Sequence, residues 1–367
     1  MNEYSIVFHY PLPLDDKANS GSAVRPLRML SAFKSAGCEV DLIIGHSAER
    51  KRRIKKIKNN IKKGKKYHFV YSESSTMPTA LTDSDHLPRH PIMDWFFFRY
   101  CSAHNIPVGL FYRDIYWLFD DYQLRTTLFK RLISKAAYRF DLWWYKKVVD
   151  KLYLPSLEMA HYIPKIDSSL FSALPPGHHS PKSSGKDIAG PLSYPIRLFY
   201  VGGISNHYQL HTLFEAVLDE PRIELTICTR KFEWEVARHE YPTLTDNIKI
   251  IQLAGKEMEA ELQRCDIAVL YVKPHEYWEF AAPVKLFEYI GYEKPILASE
   301  HTFAGDFVRE QAIGWTIPYE TSSLTDFFET IVKEPSILTT AVKNIKGLAQ
   351  YHSWEARARQ VIKDLTQ

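Results

Sequence analysis

Cysteine is scarce in this chain of 367 residues, and its placement excludes more than it offers. Cys38, Cys101, Cys228 and Cys265 show no metal or redox spacing, which points to a reducing compartment. No uninterrupted apolar run approaches about 18 residues, the least expected of a membrane-spanning helix. The amino terminus, MNEYSIVFHY, has no basic stretch before its short apolar run and does not read as a signal peptide. No GxGxxG follows a strand-like run, which argues against a dinucleotide redox site. The chain also lacks a GxxxxGK[ST] phosphate loop, an HExxH metal helix and any internal repeat of solenoid length.

What is present is ordinary globular composition with alternating strands and helices. Hydrophobic residues make up 45% and charged residues 25%, and the length suits two domains. The aromatic share of 14% suits carbohydrate or lipid contact, and it equally suits core filling. Short apolar runs at Ser5–His9, Val40–Gly45, His68–Tyr71, Val108–Tyr112, Lys151–Leu154 and Phe171–Leu174 read as strands of a first half. Ile196–Val201, Glu224–Cys228, Ile248–Gln252, Ile267–Tyr271 and Ile296–Ala298 read as strands of a second. Helical patterns lie between them, the first from about Ala23 to Ala36 before Gly37. This alternation predicts an α/β chain with parallel sheets covered by helices. His178–Tyr194, rich in Ser, Pro, Gly and Lys, reads as the linker.

The segment Phe280–Pro295, FAAPVKLFEYIGYEKP, carries most of the functional information. Pro283 suits the first turn of a helix, where a missing N–H costs nothing, and it is a donor-binding candidate together with Val284. Lys285 and Glu288 are three apart and share a face. Gly291 lies where the helix should fade, and Pro295 opens the next strand. Free amides at the helix start, with Lys285 beside them, make a site for a phosphate or diphosphate. Glu288, one turn further in, suits sugar hydroxyls. On spacing alone, a surface helix with an ordinary i, i+3 ion pair fits as well.

Pro283, Lys285, Glu288, Tyr289, Gly291, Lys294 and Pro295 together resemble the donor-binding segment of GT-B glycosyltransferases, especially the retaining group called family 4. Tyr200–Gly203 (YVGG), Leu174–Gly177 (LPPG) and His352–Ala358 (HSWEARA) resemble further stretches of the same enzymes. The resemblance implies two Rossmann-like domains facing across a central cleft. It places an acceptor domain over 1–185, with a crossing helix over 353–367, and a nucleotide-sugar domain over 190–352. It implies a glycosyltransferase of hexosyltransferase type that moves a sugar from a nucleotide diphosphate to a hydroxyl. The acceptor is a saccharide or a lipid-linked one, in cell-surface polysaccharide or glycolipid synthesis. Transfer is expected to retain configuration, with no cofactor and no metal. By resemblance, Glu288 binds the nucleotide ribose and Lys285 faces the donor phosphates.

Ligands of open α/β sheets sit beyond the carboxyl ends of the strands, which selects the remaining candidates. After the first strand, Asn19–Pro26 holds Gly21, which permits close backbone approach to a diphosphate, and Arg25, a donor or acceptor contact. After the third, Glu73 is an acceptor candidate; after the fourth, Arg113 and Asp114 are catalytic candidates. Related enzymes often carry His or His-Asp there, and this chain has Arg113 instead. A lone Asp at a strand end is also a common helix cap. Gly202 and Gly203 form the glycine turn of the second half, but the Arg and Lys that relatives place after it are missing. Lys285 and Arg230 are the expected substitutes. Of two glutamates that relatives carry with seven residues between them, the second at the position of Glu288, the first falls on Phe280, with Glu279 one position off.

Arg50–Lys66 holds eleven basic residues and no acid, while the chain as a whole carries +4. The excess is therefore local. Ile54, Ile57 and Ile61 recur at helical spacing, so an inward apolar stripe with a basic rim toward anionic lipid is expected. Trp95–Tyr100 reads as a core helix that can also touch lipid. No nucleic-acid motif accompanies the basic run. Asp83-Ser84-Asp85 matches the metal-binding Asp-x-Asp of another glycosyltransferase fold, although a turn or helix cap fits it better. The expected setting is cytoplasmic, at the inner face of the membrane. Two alternatives stay open: a sugar-nucleotide epimerase or hydrolase of the same fold, and a non-catalytic carbohydrate- or membrane-binding protein.

Overall fold

The computed structural model describes residues 4–15, 21–119, 127–163, 165–179, 194–205 and 207–367. They form two compact units, one of Met1–Pro176 with Trp354–Gln367 and one of Gly177–Ser353. His178 bridges Ser353, so the chain joins the second unit at once. Most of the expected linker, from 180 to 193, lies outside the described residues.

The first unit holds β1 (Tyr4–Tyr10), β2 (Cys38–Ile44), β3 (Phe69–Glu73), β4 (Val108–Phe111), β5 (Lys151–Leu154) and β6 (Phe171–Ala173). They make one sheet in the order β2-β1-β3-β4-β5-β6, and every pairing is parallel. Its helices are α1 (Gly21–Ser35), α2 (Ser47–Lys62), α3 (Met93–Ser102) and α4 (Leu128–Val148). The second unit holds β7 (Ile196–Val201), β8 (Ile223–Cys228), β9 (Ile248–Ile251), β10 (Ile267–Leu270), β11 (Ile296–Ser299) and β12 (Gly314–Ile317). They also pair in parallel, in the order β12-β11-β10-β7-β8-β9. Its helices are α5 (His211–Leu218), α6 (Lys231–Ala237), α7 (Gly255–Arg264), α8 (Val284–Gly291), α9 (Phe303–Glu310), α10 (Thr321–Lys333) and α11 (Ser336–Ala349). The last helix, α12 (Trp354–Thr366), packs its Trp354, Ala358, Val361 and Leu365 with Phe8, Phe33 and Tyr71 of the first unit.

Eleven of these strands follow the apolar runs legible in the sequence. The twelfth, β12, is a short half-buried edge strand of sequence GWTI, too brief for alternation to register. Each sheet reverses its strand order once, between β1 and β3 and between β7 and β10. Loops diverge at such switch points and leave room for a ligand.

The helices α2, α3 and α4 form one layer. Arg50 of α2 clamps Asp94 of α3 with Nε–Oδ1 3.1 Å and Nη2–Oδ2 2.9 Å. Phe98 of α3 meets Trp144 of α4 at 5.6 Å between ring centroids. Ile54 and Ile57 are buried, so the inward stripe of α2 is real. Arg50 is not part of its basic rim, however: it is 1% exposed and also donates to the carbonyls of Pro11 and Gly45. Lys65 is drawn off as well, bonding Glu39 and Asp41 at 2.8 Å each. The Asp-x-Asp pair is structural. Asp83 accepts from the N–H and hydroxyl of Ser47 at the start of α2, and Asp85 pairs with Arg89. Among the described residues, no group of three or more His, Cys, Asp or Glu is placed to hold a metal. No described helix is long and apolar enough to cross a membrane. The four cysteines are free and buried.

Asp141 on the inner face of α4 makes stability sensitive to pH. It accepts from the Thr79 N–H at 2.7 Å and from Trp144 Nε1 at 3.0 Å. Burial nevertheless pushes its carboxyl up to about 7. The folded chain keeps this proton where the unfolded chain releases it. The contribution is therefore full below pH ~4 and is lost as pH rises through ~7, to the extent of roughly 4 kcal/mol. Urea melts of the wild type and Asp141→Asn across this window should converge or cross as pH rises, since Asn cannot ionise. A stability difference that stays constant with pH would remove the assignment.

Candidate functional site

Each unit gathers polar side chains at its own switch point. In the second unit the centre is the start of α8. Pro283 is the residue before the helix, with extended ψ 137°, so it stands one position earlier than the first-turn placement read from sequence. Val284 and Lys285 open the helix, and no side chain caps it. The first amides of a helix lack intrahelical partners, so this end favours an anion. Lys285 Nζ meets Glu288 Oε2 at 2.5 Å, both partly exposed.

Tyr289 fixes this helix to the sheet. Its hydroxyl accepts from the Val201 N–H at the end of β7, 3.3 Å away, and donates to the carbonyl of Val269 on β10 at 3.5 Å. One buried tyrosine thus ties α8 to both strands of the switch point. The glycine turn after β7 is set by space. A Cβ on Gly202 would lie 2.6 Å from the Tyr200 hydroxyl, and one on Gly203 would lie 3.1 Å from Glu233. The Tyr200 hydroxyl donates to the Gly203 carbonyl at 2.7 Å. Gly291 falls at the expected fade of the helix, and it has a packing role as well. It is the last residue of α8, and a Cβ there would strike the His178 ring at 2.6 Å. The left-handed residue that turns the chain is Glu293, φ 56°. Arg230 does not reach out alone: its Nη1 donates to Glu233 Oε1 at 2.7 Å. Glu233 also accepts from the Ile204 N–H at 3.3 Å, so it joins Arg230 to the glycine turn. The sequence reading missed Glu233, although i, i+3 spacing on one helix was the signal.

In the first unit the cluster is built on Glu73, the last residue of β3. Its carboxylate is fully buried. It accepts from the Tyr71 hydroxyl at 3.0 Å and from Arg113 Nη2 at 3.2 Å, and it forms an ion pair with Arg25, whose Nε lies 3.3 Å away without hydrogen-bond geometry. Arg25, in the second turn of α1, lies 3.5 Å over the Phe111 ring and 5.7 Å from that of Trp354. Arg357 of α12 is buried and donates to the Pro176 carbonyl at 3.3 Å. Burial, and then the charge of Arg25, pull its guanidinium down to about 9. Arg113 is held further by Ser74, whose hydroxyl accepts from its backbone N–H at 2.9 Å and whose carbonyl accepts from its Nε at 3.3 Å. Asp114 accepts from the Tyr116 N–H at 2.8 Å, a local turn bond of the kind that Asp makes at strand ends.

Arg25, Glu73 and Arg113, separate candidates in the sequence, therefore form one network. Glu73 touches no solvent, so it acts by holding two arginines. Trp354 and Arg357 were not foreseen, because nothing in the sequence says that the final helix packs over Arg25. Gly21 begins α1, one residue after a stretch, 16–20, that lies outside the described residues. The expected glycine loop of Asn19–Pro26 is thus mostly helix.

No family model and no curated protein matches the chain. Solved structures do match over its whole length. HepE from Anabaena, in complex with UDP and glucose, is 13% identical with TM-score 0.63, and 99% of each chain is covered. A glycosyltransferase from Rickettsia africae is 12% identical with TM-score 0.66, covering 100% of this chain and 98% of its own. WaaG, a glycosyltransferase involved in lipopolysaccharide biosynthesis, is 13% identical with TM-score 0.60, covering 98% of this chain and 99% of its own. At these identities the likeness is one of fold. With two six-stranded parallel sheets in Rossmann-like order, the chain has the GT-B fold.

Proposed function

We propose that this chain is a glycosyltransferase that moves a sugar from a nucleotide diphosphate to a hydroxyl of a saccharide or lipid-linked acceptor. The observation that carries the reading is the Lys285–Glu288 pair at the start of α8, anchored by Tyr289 at a switch point. The neighbour HepE, solved with UDP and glucose, and WaaG, which acts in lipopolysaccharide biosynthesis, support the class of donor and the setting. Lys285 and the first amides of α8 take the diphosphate, and Glu288 takes the ribose. Stabilising the departing diphosphate is an electrostatic task, for which fixed donors suffice. No enzyme nucleophile is needed where a donor phosphate oxygen takes the acceptor proton, which is the retaining course.

Arg25 and Arg113, held by Glu73, form the acceptor side of this reading, with Asp114 nearest in sequence. Gly202, Gly203 and Arg230 shape the donor turn. The protein works at the cytoplasmic face of a membrane, which the exposed lysines of α2 attract.

The test is a calorimetric screen of nucleoside diphosphates and their sugars, beginning with UDP and UDP-glucose. Nucleotide release is then followed with and without saccharide acceptors. Binding is expected, with release that depends on acceptor and survives EDTA. Absence of nucleotide affinity would sink the reading. Acceptor-independent turnover would move it to an epimerase or hydrolase. Loss in EDTA with rescue by manganese would overturn the metal-free course.

A further inference from the structure

The helix α4 is apolar on two sides, and among the described residues only one of them is covered. Its inner face buries Tyr138, Asp141, Trp144, Tyr145 and Val148. On the outer face Leu128, Phe129 and Leu132 are 68%, 74% and 68% exposed, and Ile133 is exposed with them. Phe129, Ile133, Phe140 and Trp143 recur at i, i+4, i+11 and i+14, so they form one stripe along the helix. Trp143 continues the stripe to α3: its ring lies 5.4 Å from that of Trp95, which stacks on exposed Phe96 at 5.3 Å. A contiguous apolar surface of this kind on a soluble face marks a docking site.

The charges choose the occupant. From Leu128 to Val148 the chain has six cations, Lys130, Arg131, Lys135, Arg139, Lys146 and Lys147, and one acid, the buried Asp141. Lys147 Nζ sits 4.0 Å over the Trp143 ring, so a cation lies directly against the stripe. An apolar stripe bordered by cations alone matches the boundary between acyl chains and anionic headgroups. A second copy of the chain would bring cations against cations across an isologous contact. We infer that the outer face of α4, extended by Trp95 and Phe96, inserts into an anionic membrane surface. This deepens the membrane part of the proposed function and names a surface other than the basic rim of α2. It does not depend on the sugar chemistry.

The experiment is co-sedimentation of the full chain with vesicles of phosphatidylcholine and phosphatidylglycerol, against phosphatidylcholine alone. The wild type should bind the mixed vesicles and lose much of that binding in high salt. The variant Leu128→Ser/Phe129→Ser/Leu132→Ser/Ile133→Ser should bind them roughly a hundredfold more weakly, because four large side chains no longer leave water. Its circular dichroism and nucleotide affinity should match the wild type, since these side chains are exposed. The α2 variant Lys55→Gln/Lys56→Gln/Lys62→Gln/Lys63→Gln should lose only part of the binding. Undiminished vesicle binding by the four-Ser variant, or no binding by the wild type, overturns the inference. So does a wild-type dimer that the four-Ser change dissolves, which would give the face to a second copy. Vesicle binding without nucleotide affinity would sink the glycosyltransferase reading and leave this surface standing.

Discussion

Lys285→Ala is expected to lower kcat/KM for sugar transfer by about tenfold to a hundredfold, the worth of one charge-assisted hydrogen bond to a departing diphosphate. Glu288→Ala should cost a similar factor for a different reason. In the free protein the two side chains satisfy each other at 2.5 Å, so a donor that binds here must exchange that contact for its own. Inorganic diphosphate separates the two roles. Lys285→Ala should weaken both diphosphate and nucleoside diphosphate. Glu288→Ala should weaken the nucleoside form only, and freeing Lys285 should leave diphosphate binding as strong or stronger. Calorimetry with the two ligands reads this directly. Unchanged affinities and transfer in both variants, with intact folding, would reduce the pair to a surface ion pair.

The largest effect on stability is expected at Asp94. Its carboxylate holds Arg50 in a two-bond clamp and lies 3.1 Å from His9 Nε2. Burial alone would raise its pKa, but the charge of Arg50 and the His9 contact outweigh burial and hold it down to about 2. Asp94→Ala would leave a guanidinium that is 1% exposed facing only neutral acceptors, at a cost of about 3–5 kcal/mol. Replacing both partners, as in Arg50→Met/Asp94→Leu, should cost much less, because no charge is stranded. The pH dependence is opposite to that of Asp141. A lowered folded pKa stabilises above the unfolded value near 4, and that stabilisation is lost as pH falls through about 2, roughly 2 kcal/mol in full. Thermal melts of the three proteins at neutral pH decide the matter. A double variant as unstable as Asp94→Ala would show that packing, not the stranded charge, sets the cost.

The same residue shows where charge counting fails. Arg50 looked like one of eleven cations on a solvated rim, yet its partner lies 44 residues away. Charge density is local information, but burial of a charge depends on what another segment brings to it. Glu73 repeats the lesson. Its position at the end of a strand was legible, but its enclosure by Arg25 and Arg113, beside Tyr71 of its own strand, came from two other segments. Leu128–Val148 has apolar residues on two sides and six cations, and that pattern does not say which side is covered. Only packing against Thr79 and Phe98 tells which side remains open.

By itself the sequence determined eleven of the twelve described strands and their alternation with helices, because buried parallel strands are continuous apolar runs and helices repeat with their own period. It likewise placed Lys285 and Glu288 on one face of one helix, since three residues make nearly one turn. The tertiary structure decided the rest: that Tyr289 locks that helix to β7 and β10, that Arg50 lies inside and Leu132 outside, and that Gly291 is there for His178. Each of these is a contact between segments far apart in the chain, and no local period encodes which segments will meet.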